Sequence, residues 1–501
     1  MRYMWNILWI ASLCLTLCLV AKDTQKFFHL GGWYPTKKEL LTKKIQELDE
    51  SAQSFYGADL SGVRALIVPH AGYRYSGSVA ASAFRLLDSK KVKRIILLAP
   101  CHKIVFKGVA VLDGVSDYLV PNGSVILDTK SIQKMISKKL VKRASILKPH
   151  NPFDVEHSLE VELPFIKHYL PDAQIIPLLI GGGITVNDAK DFAKGLSGFI
   201  DDTTVVVASS DFTHYGKSFD YVPFTTHIKE RIRALDNEVM QSLFVPSVDR
   251  FFSTIKKTQA TVCGRFPLMI LLALLEKGVF GELYPSLLGY ATSSDHVKEV
   301  INSVSYAAIA YAPKKKDVTY LTHYEQDSLL QLARDAVSNS FTKKLNQRLI
   351  YPLISPALQE RRGAFVTLKK GDELRGCMGS IVSPYPLHKT IHDKALSAAS
   401  KDVRFELVTK PELSGLTFKI SVLTDAVSIK SYEAIKIGKH GIILDAVDRS
   451  AVFLPSVATD NRWTLIQTLQ ELGLKAGLEK DAWKSAQLRV FESIDFFEKK
   501  K

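Results

Sequence analysis

The chain has 501 residues, 46% of them apolar and 23% charged, which supplies material for two buried cores and excludes a disordered or low-complexity protein. Its net charge of +15 is scattered in short runs (Lys90 to Arg94, Lys138 to Arg143, Lys314 to Lys316) without the interleaved aromatics of a single-strand groove, so no nucleic-acid partner is expected. Two of the five cysteines, Cys14 and Cys18, lie in an N-terminal apolar stretch, and the remaining Cys101, Cys263 and Cys377 are too few and too widely spaced for a disulfide framework.

Taken in chain order, Arg2 precedes an apolar run from Tyr3 to Val20 that Lys22 and Asp23 end. Residues 1–21 read as a secretory signal peptide or, where Leu19 prevents cleavage after Ala21, as an N-terminal membrane anchor. The protein is therefore expected to be exported, periplasmic or membrane-anchored, with a buried N-terminal helix of a cytoplasmic protein as the alternative. From Val63 to about Ala312, short β-rich runs (Ala65 to Val68, Arg94 to Leu98, Gln174 to Ile180, Thr204 to Ala208) alternate with helical patterns at Val79 to Asp88, Val186 to Leu196 and Thr226 to Leu243. This alternation predicts a layered α/β domain over 22–313. A charged, pattern-free stretch at 314–322 reads as a linker. A second domain over 323–501 opens with an amphipathic helix from about Gln326 to Ser340 and closes with a helix around Arg462 to Leu472 and a strand near Gln487 to Glu492.

Four strand candidates end in polar residues or glycines: Val68-Pro-His70, Ala99-Pro-Cys-His102, Ile180-Gly-Gly-Gly183 and Ser209-Ser-Asp-Phe-Thr-His214. Ligands in open α/β sheets sit beyond the carboxyl ends of the strands, so these four ends are expected to face one crevice. Tyr73 and Tyr75 are candidate hydrogen-bonding walls beside the glycines of Pro69 to Gly77. Imidazoles with a thiolate suit zinc, copper or ferrous iron, and three protein ligands leave a position open for water or substrate. The gaps between His70, His102 and Cys263 form no spacing motif, and each histidine taken singly reads more readily as a structural residue.

The motifs Val68-Pro-His-Ala-Gly-Tyr73, Ala99-Pro-Cys-His102, Glu156-His-Ser-Leu-Glu-Val-Glu-Leu-Pro164, Ser209-Ser-Asp-Phe-Thr-His-Tyr-Gly216 and Val262-Cys-Gly-Arg-Phe-Pro267 resemble the Memo family in identity and order, as do Gly32-Trp-Tyr-Pro35 and Ser303 to Ala308. That resemblance implies a fold like the class III extradiol (LigB-type) non-haem iron dioxygenases and a metal-binding set of His70, His102 and Cys263, with iron or copper as the cofactor and zinc as a third choice. Asp211 and His214, with His157 and Tyr73, are the candidate catalytic residues around it, where a carboxylate beside an imidazole orients a ligand or moves a proton. Glu160 and Glu162 read as a structural pair, and Arg265 either as an anion-binding residue or as part of an internal ion pair. Cys101 stands where the family commonly has a small hydroxyl residue. It reads first as a buried thiol, second as a softening neighbour of the metal or a disulfide partner that blocks Cys263.

Residues 320 to 498 resemble the AMMECR-type domain through Gly363 to Thr367, Leu374-Arg-Gly-Cys-Met-Gly379, His440 to Leu444, Phe453 to Val457 and Lys475 to Trp483. The resemblance implies an α+β fold. The glycines of the second motif are expected to make a tight turn that presents Arg375 and Cys377, a cation beside a thiol. Memo-type and AMMECR-type proteins are associated with a radical SAM enzyme as an AmmeMemoRadiSam system, which makes such an enzyme the expected partner. The chain lacks the Cys-x-x-x-Cys-x-x-Cys cluster motif itself. Three functions follow as expectations: a metal-dependent, dioxygenase-like oxidoreductase acting on a small molecule, a non-enzymatic metal-sequestering or peptide-binding partner, and a metal-assisted hydrolase.

Overall fold

In a computed structural model of the chain, the described residues are 23–26, 32–52, 60–147, 150–295, 297, 299–314, 321–341 and 355–498. The signal or anchor expected at residues 1–21 lies outside them, as does most of the linker. Among the described residues no helix is long and apolar enough to cross a membrane.

The runs of Ile, Val and Leu that read as interior strands are interior strands. Ala65–Val68, Thr204–Ser209, Arg94–Pro100 and Gln174–Ile180 lie side by side in that order, all parallel, at the centre of a nine-stranded sheet. Ile67, Leu97, Val207 and Leu178 are fully buried there, which is why the runs lack a polar alternation. Asn302–Ala312 pairs antiparallel with Ala65–Val68 on one side and with Tyr284–Thr292, and Val109–Val111 extends the other side. The register sets Val68 beside Ser209 and Pro100 beside Ile180, so the parallel strands all end on one edge of the sheet.

Helices pack on this sheet. Val186–Leu196 begins at a capping box made by Thr185 and Asp188, and Arg265–Glu276 lays an almost wholly buried apolar surface against Arg94–Pro100 and Thr204–Ser209. The helix Tyr73–Phe84 starts six residues before the expected Val79. Gly77 falls inside this helix and serves packing, because a Cβ there would come within 2.6 Å of Leu48 Cδ1 on the helix Lys38–Ser51.

The second domain is α+β. One sheet orders Glu373–Ser380, Ala364–Lys370, Leu416–Leu423 and Ser493–Phe497, and another orders Val427–Ser428, Gln487–Phe491, Gly441–Asp445 and Ser450–Phe453. The expected tight turn at Arg375-Gly-Cys-Met-Gly is instead a continuous strand. Its glycines allow close approach: a Cβ at Gly376 would meet the Ala398 carbonyl at 2.2 Å and one at Gly379 the Phe365 ring at 2.2 Å. The helix His323–Ser340 packs on the strand Tyr284–Thr292 of the first domain, and Thr322 Oγ1 donates to the Leu287 carbonyl at 2.7 Å.

Candidate metal centre

Parallel pairing places three of the four marked strand ends together. His70 follows Ala65–Val68 and is buried, His102 follows Arg94–Pro100 with its side chain 31% exposed, and Asp211 follows Thr204–Ser209 and is buried. Cys263 reaches the same edge from the loop that starts the helix Arg265–Glu276. Ligand atoms of His70, His102 and Cys263 lie within 4.8 Å of one another, and His70 Nε2 is 3.2 Å from Cys263 Sγ. The fourth end, Gly181 to Gly183, does not join them: Gly183 lines a neighbouring cavity of about 970 Å³ with Thr261 and Arg265.

Cys263 is carried in by a close backbone contact. A Cβ at Gly264 would fall 2.3 Å from Ser210 Cβ and 2.6 Å from the Ser209 carbonyl, so only glycine lets this loop touch the strand end. Asp211 N–H donates to Sγ at 3.2 Å. Burial, then the neighbouring Asp211 carboxylate, raises the Cys263 thiol well above its ordinary range, so without metal it is held as S–H.

Both histidines are oriented through Nδ1, which leaves Nε2 for a ligand. His102 Nδ1 lies 2.9 Å from Glu156 Oε1. Glu156, with no exposed side-chain surface, also accepts from the backbone N–H groups of His102, Lys103, His157 and Ser158, so one carboxylate clamps the 102–103 turn and caps the helix His157–Glu160. Burial works against that charge, but the contacts with His102 and His157 outweigh it and hold the Glu156 carboxyl well below the usual range. His70 Nδ1 is 2.7 Å from Ser209 Oγ, and its backbone N–H donates to Asp211 Oδ1 at 2.9 Å. Burial, then the like charges of His102 and His157, lowers the His70 imidazole far below its ordinary value, which favours the neutral, ligating form.

Of the surrounding candidates, Asp211 is pushed up to about 7 by burial, against the donations from His70 and Ala71. His214 Nδ1 faces the carbonyls of Phe212 and Thr261 at 2.9 and 3.1 Å. The His157 ring stacks on His102 at 5.0 Å and packs on Trp33 at 4.1 Å, and His102, Glu156 and His157 form a second group of donor atoms within 4.8 Å. Tyr73 is turned into the core, stacked on Phe165 with its hydroxyl given to the Val161 carbonyl, and Tyr75 is solvent-exposed. Glu160 is structural, accepting from the Tyr34 and Tyr118 hydroxyls at 2.6 and 3.0 Å.

Cys101 and Cys263 are both free thiols. Burial pushes Cys101 up to about 11, an inert thiol. Arg265 is exposed, lies 4.9 Å over the Phe266 ring and has no ion pair among the described residues.

In the second domain Arg375 does not serve the thiol. Its guanidinium is taken by Glu412 (3.0 Å) and the carbonyls of Glu406 and Leu407, while Cys377 Sγ sits 3.2 Å from Thr367 Oγ1 and its N–H donates to Asp402. The expected pairing of Arg375 with Cys377 is corrected to an ion pair between Arg375 and Glu412 of the segment Lys410–Gly415. Sequence reasoning passed over Glu156, Ser209 and Trp33 as site residues. All three stood inside quoted motifs, but nothing in their spacing marks them as partners of histidines more than fifty residues away.

Residues 26–310 match the model of the Memo-like protein family, and residues 330–496 match that of AMMECR1. The chain is 30% identical to a "Protein memo-1 homolog" of Caenorhabditis elegans over 61% of its own length and 87% of that protein, and 32% identical to a MEMO1 family protein of Schizosaccharomyces pombe over 56% and 96%. A crystal structure titled as an uncharacterized protein from Pyrococcus horikoshii aligns at 31% identity over 34% of this chain and 90% of that one, with a TM-score of 0.32. The chain therefore belongs to the Memo family, with an AMMECR1 domain following the Memo-like one.

Proposed function

We propose that the chain binds one redox-active metal ion, iron or copper, through His70 Nε2, His102 Nε2 and Cys263 Sγ, and uses it as a dioxygenase-like oxidoreductase. The observation that carries this reading is the convergence of the three donor atoms within 4.8 Å at one edge of the sheet, with each histidine held through its Nδ1. Two imidazoles and a thiolate are a borderline-soft donor set that suits copper, ferrous iron or zinc and leaves a coordination position open. The metal would supply activation of dioxygen or polarisation of a substrate oxygen.

The chain's own groups supply the remainder. Glu156 fixes the His102 ring and raises its basicity as a ligand, in the way carboxylate–histidine pairs do around metals. Asp211, poised near neutrality, holds or releases a proton beside the centre, and His214 and His157 flank it. The partly exposed His102 side opens to solvent, and the 970 Å³ cavity carrying Arg265 adjoins Thr261, whose hydroxyl accepts from His214 N–H, so an anionic small molecule has a place beside the centre. The domain fusion supports a radical SAM protein as the working partner. A metal-sequestering protein without turnover is the second reading, favoured by the His102–Glu156–His157 group as an additional set of donors.

Oxygen uptake by the iron- or copper-loaded protein with a panel of phenolic substrates tests the reading. Substrate-dependent uptake that vanishes in Cys263→Ser is expected. Stoichiometric metal with no uptake on any substrate would leave sequestration as the function.

A further inference from the structure

Ser209 Oγ is buried and has three close polar neighbours: the Ser158 carbonyl at 2.9 Å, Glu162 Oε1 at 2.8 Å and His70 Nδ1 at 2.7 Å. A hydroxyl has one proton to donate and two lone pairs to accept with. The carbonyl can only accept, so the Ser209 proton belongs to it. Two contacts then remain for the lone pairs, and each must bring its own hydrogen. His70 therefore carries N–H at Nδ1, and Glu162 carries O–H.

The surroundings of Glu162 point the same way. It is fully buried, and among the described residues it has no ion pair and its Oε2 has no hydrogen-bond partner. A carboxylate in that position would be a buried charge with a single donor, an arrangement costly enough that such groups take up a proton instead. Glu160, two residues away, shows the contrast, since its carboxylate receives two phenol hydroxyls. Burial, with the neighbouring Asp211 charge, raises Glu162 well above the ordinary carboxyl range.

We infer that Glu162 is a neutral carboxylic acid that acts through Ser209 as a positioning residue, holding His70 in the Nδ1–H tautomer so that the Nε2 lone pair faces Cys263 and the metal position. This rests on the reading of His70 as a ligand for its purpose, but not for its observables. Both the tautomer and the acid proton exist in metal-free protein.

The test therefore begins without metal. Long-range proton–nitrogen correlation spectra of histidine-labelled, metal-free protein at neutral pH should give His70 the pattern of a protonated Nδ1 and a bare Nε2. The infrared difference between parent and Glu162→Gln should contain the carbonyl stretch of a protonated carboxyl. Glu162→Gln, whose amide also donates to Ser209, should keep the tautomer and hold zinc, used as a redox-silent probe, within about threefold of the parent. Ser209→Ala and Glu162→Ala, checked for folding by circular dichroism, should lose the pure tautomer and weaken zinc by about 10- to 100-fold, the usual effect of removing a ligand's outer partner.

An Nε2–H His70 in the parent, a difference spectrum without that band, or a Glu162→Gln variant as impaired as Glu162→Ala would each overturn the inference. Failure of zinc to bind even the parent, with the tautomer and the band as expected, would count against the metal reading alone and leave the Glu162 assignment standing.

Discussion

At the scale of single residues, each member of the proposed donor set is held by something else. Glu156 contributes most, with five hydrogen bonds and a further 3.2 Å contact to His157 Nδ1 from one buried carboxylate. Glu156→Gln keeps the shape but replaces one acceptor oxygen with an amide donor facing N–H groups. Metal affinity, measured by competition with a chromophoric chelator, should fall by about 10- to 100-fold. An unchanged affinity would mean that the clamp does not matter to the ligand. In the proposed centre Cys263 would ligate as a thiolate, and without metal it is held as a thiol, so loading should also release about one proton per metal from this residue, and affinity should rise with pH across the neutral range. Calorimetry in two buffers of different ionisation enthalpy reads that proton directly, and Cys263→Ser should lack it.

The candidate donors His70 and His102 were legible because each sits two residues past the end of a strand built on an apolar run. Their holders were not, since Glu156 and Ser209 acquire their roles only when strands distant in sequence pair side by side. Arg375 shows the opposite error: its closeness to Cys377 in sequence suggested a pair, whereas a strand places it within reach of Glu412 and spends it there.

At the scale of elements, the decisive feature is how closely the Cys263 loop approaches the strand Thr204–Ser209. Gly264→Ala would force a Cβ into Ser210 and the Ser209 carbonyl, backbone that cannot move without disturbing His70's partner. Overpacking of this kind costs about 1–3 kcal/mol, and here it should also displace the thiol. Chemical denaturation should show the loss of stability, and the metal content of the same sample should fall with it. A variant as stable and as metal-rich as the parent would remove the reason given for this glycine.

The strands were readable from their buried Ile, Val and Leu runs, and Val186–Leu196 from its helical spacing. The start of Tyr73–Phe84 was hidden because Gly77, a helix-weakening residue, is there for its close contact with Leu48. The glycines of Glu373–Ser380 were misread for the same reason. In both cases glycine marks a close neighbour that only the tertiary fold supplies.

At the scale of the whole molecule, the two domains meet where Tyr284, Lys314 and Arg362 surround Glu360 and where Thr322 caps the helix His323–Ser340. Glu325 completes that cap from a fully buried position, and burial raises it to about 7 from an ordinary 4.5. The folded chain holds this group protonated where the unfolded chain ionises it, so its contribution is undiminished below pH 4.5 and is lost as pH rises to about 7. The loss amounts to about 3 kcal/mol by linkage. Apparent melting temperatures should therefore fall for the parent between pH 4.5 and 8 more than for Glu325→Gln, and equal slopes would contradict the buried, neutral cap.

The central claim is that His70, His102 and Cys263 together hold a metal. It is tested most directly by elemental analysis of full-length protein purified anaerobically under reducing conditions, with His70→Ala, His102→Ala and Cys263→Ser prepared beside it and shown to be folded. One metal per chain in the parent and its loss from every variant is the result this account requires. Stoichiometric metal persisting in all three would contradict it.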